Sequence, residues 1–261
     1  MKAAQADIYS PAFDKLRILL IADMGKISPE NNALIDRLKQ WNAMMDRNKP
    51  EPLIMNSWIR VLVSAIYKDD LGSAFEAFNH QRATALIRLF EQGSARDWCD
   101  NKNTSRTELC SEIIAKSLDQ AMNELREKYG NNPDKWVWGE AHMMYGEHQP
   151  FSKVWPLSLL FSVEVPSHGG RYTLNRGATK FNDEETPDRS VHGASYRAIY
   201  DFSDLDKSIF IHTTGQSGNF LSNLYDNMAG RWSNVEYIPM TTKPDDYGKG
   251  ALGRWKLKPV K

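Results

Sequence analysis

Cysteine is scarce in this chain, with only Cys99 and Cys110 among 261 residues. Their segment, WCDNKNTSRTELC, has no His between them and the wrong spacing for a zinc set, which argues against a metal as the reason for the pair. Two readings stay open from the residues. A disulfide would close a short polar loop, remove about 3 kcal/mol of unfolded-state freedom in the chain-entropy picture, and imply an oxidising compartment; two free thiols would suit a reducing one. Net charge is also missing. The 33 Lys and Arg balance the 33 Asp and Glu, so no field gathers nucleic acid or anionic lipid, and neither is expected as a partner. No apolar run approaches the roughly 20 residues that span a bilayer, and MKAAQADIYS lacks the long apolar segment of a secretory signal. Absent too are Walker and Rossmann glycine loops and a Gly-x-Ser-x-Gly elbow, which removes those reaction classes.

What is present divides the chain near residue 130. Residues 1–130 read as mainly helical. Ser10-Pro11 opens a helix to about Asp23, with Leu16, Ile18, Leu19 and Ile21 as its filling. Ser28-Pro29 opens a second that carries Leu34, Leu38 and Trp41 and ends near Asn42. Leu53, Ile54, Trp58, Val61, Leu62 and Ile66 mark a strongly apolar third. A further run from Gly72 to Phe90 is expected to break around His80, and Thr107 to Tyr129 shows apolar steps of three and four with Gly130 as the stop.

Residues 131–261 change texture. Pro133, Gly139, Gly146, Pro150, Pro156 and Pro166 predict an irregular crossing, Arg171 to Arg176 a short strand, and 182–190 a solvated loop. The organising stretch is HGASYRAIYDFSDLDKSIFIHTTGQSG, from His192 to Gly218. Tyr196 to Phe202 and Ser208 to Thr214 flank a polar turn, the pattern of a β-hairpin. Period-two alternation puts Tyr196, Ala198, Tyr200 and Phe202 on one face and Arg197, Ile199 and Asp201 on the other. Charges in such ground need partners, so Arg197 and Asp201 are expected to pair with each other or with a near neighbour. Beyond the hairpin, Ser222 is expected to cap a short helix towards Trp232, and 253–259 to run as an exposed strand. His142 and His148, with Glu140 and Glu147, miss metalloprotease spacing and read as structural histidines. His192, a serine and Asp201 suggest a triad only on paper, because nothing in the sequence brings them together.

Several short stretches carry a resemblance. Trp136-Val137-Trp138-Gly139, Asn175-Arg176-Gly177, His192-Gly193-Ala194-Ser195-Tyr196-Arg197, Thr214-Gly215-Gln216-Ser217-Gly218 and Tyr225-Asp226 occur in an order that resembles the C-terminal part of the penicillin acylase family, the N-terminal-nucleophile hydrolases. The likeness runs from Gln5-Ala6-Asp7 to about Met240, and the Cys99 and Cys110 segment shares it. It implies an α+β fold: part of an αββα sandwich, with a helical first half followed by loops and a central hairpin.

In that family a precursor is cut to expose an N-terminal Ser, Thr or Cys that attacks an amide carbonyl while its own α-amino group relays the proton. A backbone N–H and an Asn side chain hold the oxyanion. Both precede the region this chain resembles, and Met1 is no such nucleophile. The resemblance therefore implies the C-terminal portion of a β subunit, inactive alone, with the α subunit and the N-terminal part of β as partners and an acylated small molecule as substrate. Penicillins, cephalosporins, acyl-homoserine lactones and acylated peptides are all candidates. It further implies periplasmic or secreted placement, no cofactor in this chain, and calcium, if any, held elsewhere in the assembly. One residue role carries over by position: Asp201 as a carboxylate orienting a His of another segment, with His192 and Arg197 as neighbours of the site. Pairing with an arginine or capping the hairpin turn is the alternative for Asp201, and a non-catalytic binding or assembly module the alternative for the whole.

Overall fold

In a computed structural model the chain is described at residues 1–77, 82–93, 95–181, 183–249, 253 and 255–259. It forms two units, Ala3–Ala194 and Ser195–Lys261, the latter with Met1 and Lys2. The secondary structure is mixed α+β, with helices gathered in the first half.

The first unit is built on helices. After the turn α1 (Lys2–Gln5), α2 (Pro11–Asp23) starts where Ser10 accepts the Phe13 N–H at 3.3 Å, and it buries Phe13, Leu16 and Leu20. α3 (Asn32–Gln40) buries Leu34, Ile35 and Leu38. α4 (Glu51–Leu71) is apolar nearly all round and runs through the middle of the core, as such a helix must. A 3-10 turn (Gly72–Ala77), α5 (Ala83–Glu91) and α6 (Ala95–Cys99) follow. The break expected around His80 lies outside the described residues.

α7 (Cys110–Tyr129) packs along α4, and Trp58 marks the seam. Its indole N–H reaches the Ile114 carbonyl and the Ser117 hydroxyl, each at 3.2 Å. The helix begins at Cys110 rather than at Thr107 because residues 100–108 are held as a closed loop. Cys99 and Cys110 are disulfide-bonded, and the buried Glu108 carboxylate accepts the Asn101 N–H at 3.1 Å and the Thr104 hydroxyl at 2.9 Å. Of the two readings open for the cysteines, the structure shows the disulfide. Cutting it by Cys99→Ser with Cys110→Ser is expected to cost about 3 kcal/mol in urea unfolding. Identical midpoints with and without reductant would contradict that.

A four-stranded sheet closes the unit. α8 (Trp138–Ala141) leads into β1 (Met143–Gly146); then come α9 (Leu157–Phe161), β2 (Val163–Pro166), β3 (Gly177–Thr179) and β4 (Ser190–Gly193). The order is β2-β1-β4-β3, with β1 and β4 parallel and the outer pairs antiparallel. Two expectations are corrected here. Residues 171–176 are a turn, not a strand: Gly169 takes φ +81°, and the Thr173 hydroxyl caps the bend with 3.0 Å and 2.7 Å bonds to the Gly170 N–H and the Asn175 carbonyl. The 182–190 loop is not simply solvated either, since Asp188 and Ser190 are buried.

The second unit contains β5 (Tyr196–Ile199), β6 (Ile209–His212), α10 (Ala229–Ser233), β7 (Ile238–Pro239) and α11 (Pro244–Tyr247). β5 and β6 form the expected antiparallel hairpin, and β7 pairs with β6 on its other side. Ser222 starts no helix. The 215–225 segment folds back on itself through bonds from the Gly215 N–H to the Tyr225 carbonyl (2.7 Å) and from the Ser217 N–H to the Leu224 carbonyl (3.0 Å), so the helix waits until Ala229. Gly215 has to be glycine, because a Cβ there would lie 1.8 Å from the Leu224 oxygen. The described residues of the tail form no strand.

Candidate functional site

The hairpin register explains what each of its side chains does. Arg197 stands opposite Ile211 and Ala198 opposite Phe210, so alternate residues point to opposite faces. The Arg197 face is covered. Its guanidinium lies 4.5 Å over the Trp232 ring and donates to the Trp232 carbonyl at 2.6 Å. Burial holds its pKa below the usual arginine value.

The other face is open, with Tyr196 47% exposed, Tyr200 53% and Phe202, at the turn, 91%. Tyr196 and Tyr200 join through their hydroxyls at 3.0 Å, and Tyr196 lies 6.0 Å from the Phe210 ring. A sheet face bearing exposed aromatics is the kind of surface that marks an interaction site.

Asp201 does not pair with Arg197. It lies beyond β5, and its carboxylate accepts the Ser203 hydroxyl at 2.6 Å and the Ser203 N–H at 2.9 Å. Those bonds, the hydroxyl first, hold its pKa below the usual carboxylate value. Capping the turn is therefore the geometry observed, and the ion pair expected with Arg197 is corrected: the arginine has Trp232 and the aspartate has Ser203. Just beyond β6, the Thr214 N–H and hydroxyl both sit near His212 Nδ1, at 3.4 and 3.5 Å, a local turn contact.

His192 belongs to the first unit. It pairs with Ala178 across β3 and β4 and is exposed. The histidine with a demanding environment is His142, which is fully buried, stacked on Trp138 at 4.2 Å and bonded through Nδ1 to the Asp188 carbonyl at 2.7 Å. A carbonyl only accepts, so Nδ1 carries the proton and Nε2 is the bare nitrogen. Nε2 is buried against Gly177 with no hydrogen-bond partner among the described residues. Burial pushes this imidazole down to about 4. Burial also raises the pKa of the Asp188 carboxyl, whose Oδ1 takes the Asn56 amide N–H at 2.6 Å. Sequence reasoning had His142 as a structural histidine but missed Asp188 and Trp232. Their partners lie 46 and 35 positions away, and no local pattern announces them. Among the described residues no three His, Cys, Asp or Glu side chains come together in a set that could hold a metal ion.

The fold defines the class. Over 98% of its length the chain is similar to a thermostable penicillin G acylase from Alcaligenes faecalis, with a TM-score of 0.58 at 14% identity, covering 48% of that chain; this is an N-terminal-nucleophile hydrolase fold. The chain belongs to the penicillin amidase family, whose pattern it matches over residues 1–249. It is 24% identical over 235 residues to the acyl-homoserine lactone acylase QuiP of Pseudomonas fluorescens Pf-5, covering 85% of this chain and 27% of that protein. For the protein of the same name in Pseudomonas aeruginosa PAO1 the match is 24% over 231 residues, covering 81% and 27%. The chain thus spans about a quarter of the length of the curated relatives it matches.

Proposed function

We propose that this chain is the C-terminal portion of the β subunit of an acylase that hydrolyses the amide bond of an acylated small molecule, with the nucleophilic serine supplied by another chain of the same processed precursor. The observation that carries the reading is the open aromatic face of the hairpin, in a chain that is a family member over residues 1–249 yet corresponds to 27% of a relative's length. A hairpin with one face on a core and the other bearing exposed tyrosines fits a sheet layered against further polypeptide. The relatives' names favour an acyl-homoserine lactone as substrate, with a β-lactam amide as the other member of the class. The Cys99–Cys110 bond supports an oxidising compartment, periplasmic or secreted.

In the assembled enzyme the roles of this chain are structural. Arg197 clamps β5 to α10, Asp201 fixes the turn, and the Tyr196 face receives the companion layer. For Asp201 to orient a catalytic His, the companion chain would have to bring that His to a carboxylate already engaged by Ser203. The test is hydrolysis of N-octanoyl-homoserine lactone, followed by chromatography, with this chain alone and with the whole reading frame expressed. Background rates alone and turnover from the complete precursor are expected. Turnover by the isolated chain would overturn the proposal, and a monodisperse, inactive product of the whole frame would favour a binding module.

A further inference from the structure

A second exposed apolar surface lies within the first unit. The connection between β1 and β2, residues 147–162, is folded as a knob rather than left as a loose loop. At its base His148, Phe151 and Phe161 form a three-ring cluster with centroids 4.6 to 5.2 Å apart. Backbone bonds from Ser152 to His148 (2.8 Å) and from Ser158 to Val154 (3.0 Å) close its turns, and the Ser152 hydroxyl donates to Glu147 at 2.9 Å. On this frame Val154 is 50% exposed, Trp155 81%, Leu159 74% and Leu160 55%. Single exposed apolar residues are ordinary, but four within seven positions on a pre-ordered frame are not.

We infer that this knob is the docking point for an apolar segment of the acylase polypeptide outside this chain; the inference rests on the proposed function. The length of the missing partner argues for that occupant. The chain accounts for 27% of a relative and 48% of the solved acylase chain, so most of the polypeptide that would surround it lies outside it. A lipid surface fits less well: the tip carries one exposed cation, Lys153, and α9 has five residues, whereas surface binding draws on longer amphipathic helices and basic clusters. Four side chains also fall short of the roughly 800 Å² a side that a free-standing dimer buries. An ordered aromatic anchor entering a partner's pocket is how such small surfaces contribute to a larger interface.

The test uses the complete acylase with benzoylphenylalanine in place of Leu159, irradiated and mapped by peptide mass spectrometry. The expected result is a crosslink to a peptide outside residues 1–261. A probe in place of Leu109, 56% exposed at the start of α7, should give at least tenfold less. A crosslink to a second copy's knob, to added phosphatidylglycerol vesicles, or at the Leu109 level only would overturn the inference. Lactone hydrolysis by the same sample separates the two claims. Activity without the crosslink removes the docking site alone, and a crosslink without activity keeps it while removing the acylase reading. As a second readout, Trp155→Asp with Leu159→Asp is expected to lower the yield of assembled enzyme at least tenfold, and Leu109→Asp to leave it unchanged.

Discussion

Trp58→Ala is expected to cost about 3–5 kcal/mol of stability, the range for deleting a fully buried large aromatic. Trp58 is 0% exposed in the middle of α4, and its indole crosses to α7, where the Ile114 carbonyl and Ser117 hydroxyl accept its N–H. The substitution removes the aromatic packing between the two longest helices and opens a cavity between them. It also removes the shared donor, although Ser117 keeps its own 2.8 Å bond to Ile114. Trp58→Phe should retain most of the apolar contact and lose on the order of 1 kcal/mol with the hydrogen bond. Urea unfolding of the pair separates packing from hydrogen bonding. A Trp58→Ala loss below about 1 kcal/mol would mean that α4 and α7 are not the structural centre of the helical unit.

The second large effect is acid sensitivity centred on His142. Its folded-state pKa, about 4, lies below the ordinary value of 6.5. Between those values the unfolded chain takes up a proton that the folded chain refuses, so the stability contribution is complete above about pH 6.5 and is lost as pH falls towards 4. At about 1.4 kcal/mol per unit, the loss approaches 3 kcal/mol. The cause is geometric, since protonation would put a second N–H on Nε2, which is buried without an acceptor among the described residues. Asp188 works in the opposite sense. Its raised pKa means that the folded state holds a proton at pH values where the unfolded state has released it, so its contribution grows as pH falls through that raised value. The net pH profile therefore mixes the two groups, and the informative quantity is the difference between the native chain and His142→Asn. That variant keeps an amide N–H for the Asp188 carbonyl and has nothing to protonate. The native chain should lose about 3 kcal/mol more than the variant between pH 7 and pH 4; parallel unfolding curves would contradict the account.

Much of the helical unit was legible in the sequence because its signals are local. Ser10-Pro11 opens α2, the apolar steps of α4 and α7 follow helical spacing, and Gly130 ends the latter. The hairpin was legible for the same reason, as alternation on either side of a polar turn. Misreadings came where non-local bonds set the local structure. Bonds from the Gly169 N–H to the Met45 carbonyl and from the Asn175 N–H to the Asp7 carbonyl, both 2.8 Å, hold 171–176 away from a strand, and the bonds of Gly215 and Ser217 keep Ser222 out of a helix. The same limit hid the partners of the candidate site. Alternation placed Arg197 and Asp201 on one face but could not show that Trp232, 35 positions away, would take the arginine, whereas the cap of Asp201 by Ser203 is a local turn contact that the sequence offered as an alternative. Asp188 looked like part of an acidic surface loop because Asn56 and His142, which bury it, are remote in sequence. Local patterns thus located the hairpin, and the ordered short motifs pointed to the family, while the partners of Arg197, His142 and Asp188 are long-range.

The central claim is that the attacking group comes from outside residues 1–261. Covalent labelling tests it most directly: the active acylase is treated with a sulfonyl fluoride, which forms a stable adduct with an activated serine, and the adduct is mapped by mass spectrometry after activity is lost. The account predicts a single adduct, on the N-terminal serine of another chain of the processed precursor, with every peptide of this chain unmodified. An adduct on a serine or threonine within residues 1–261, formed in step with the loss of activity, would contradict it.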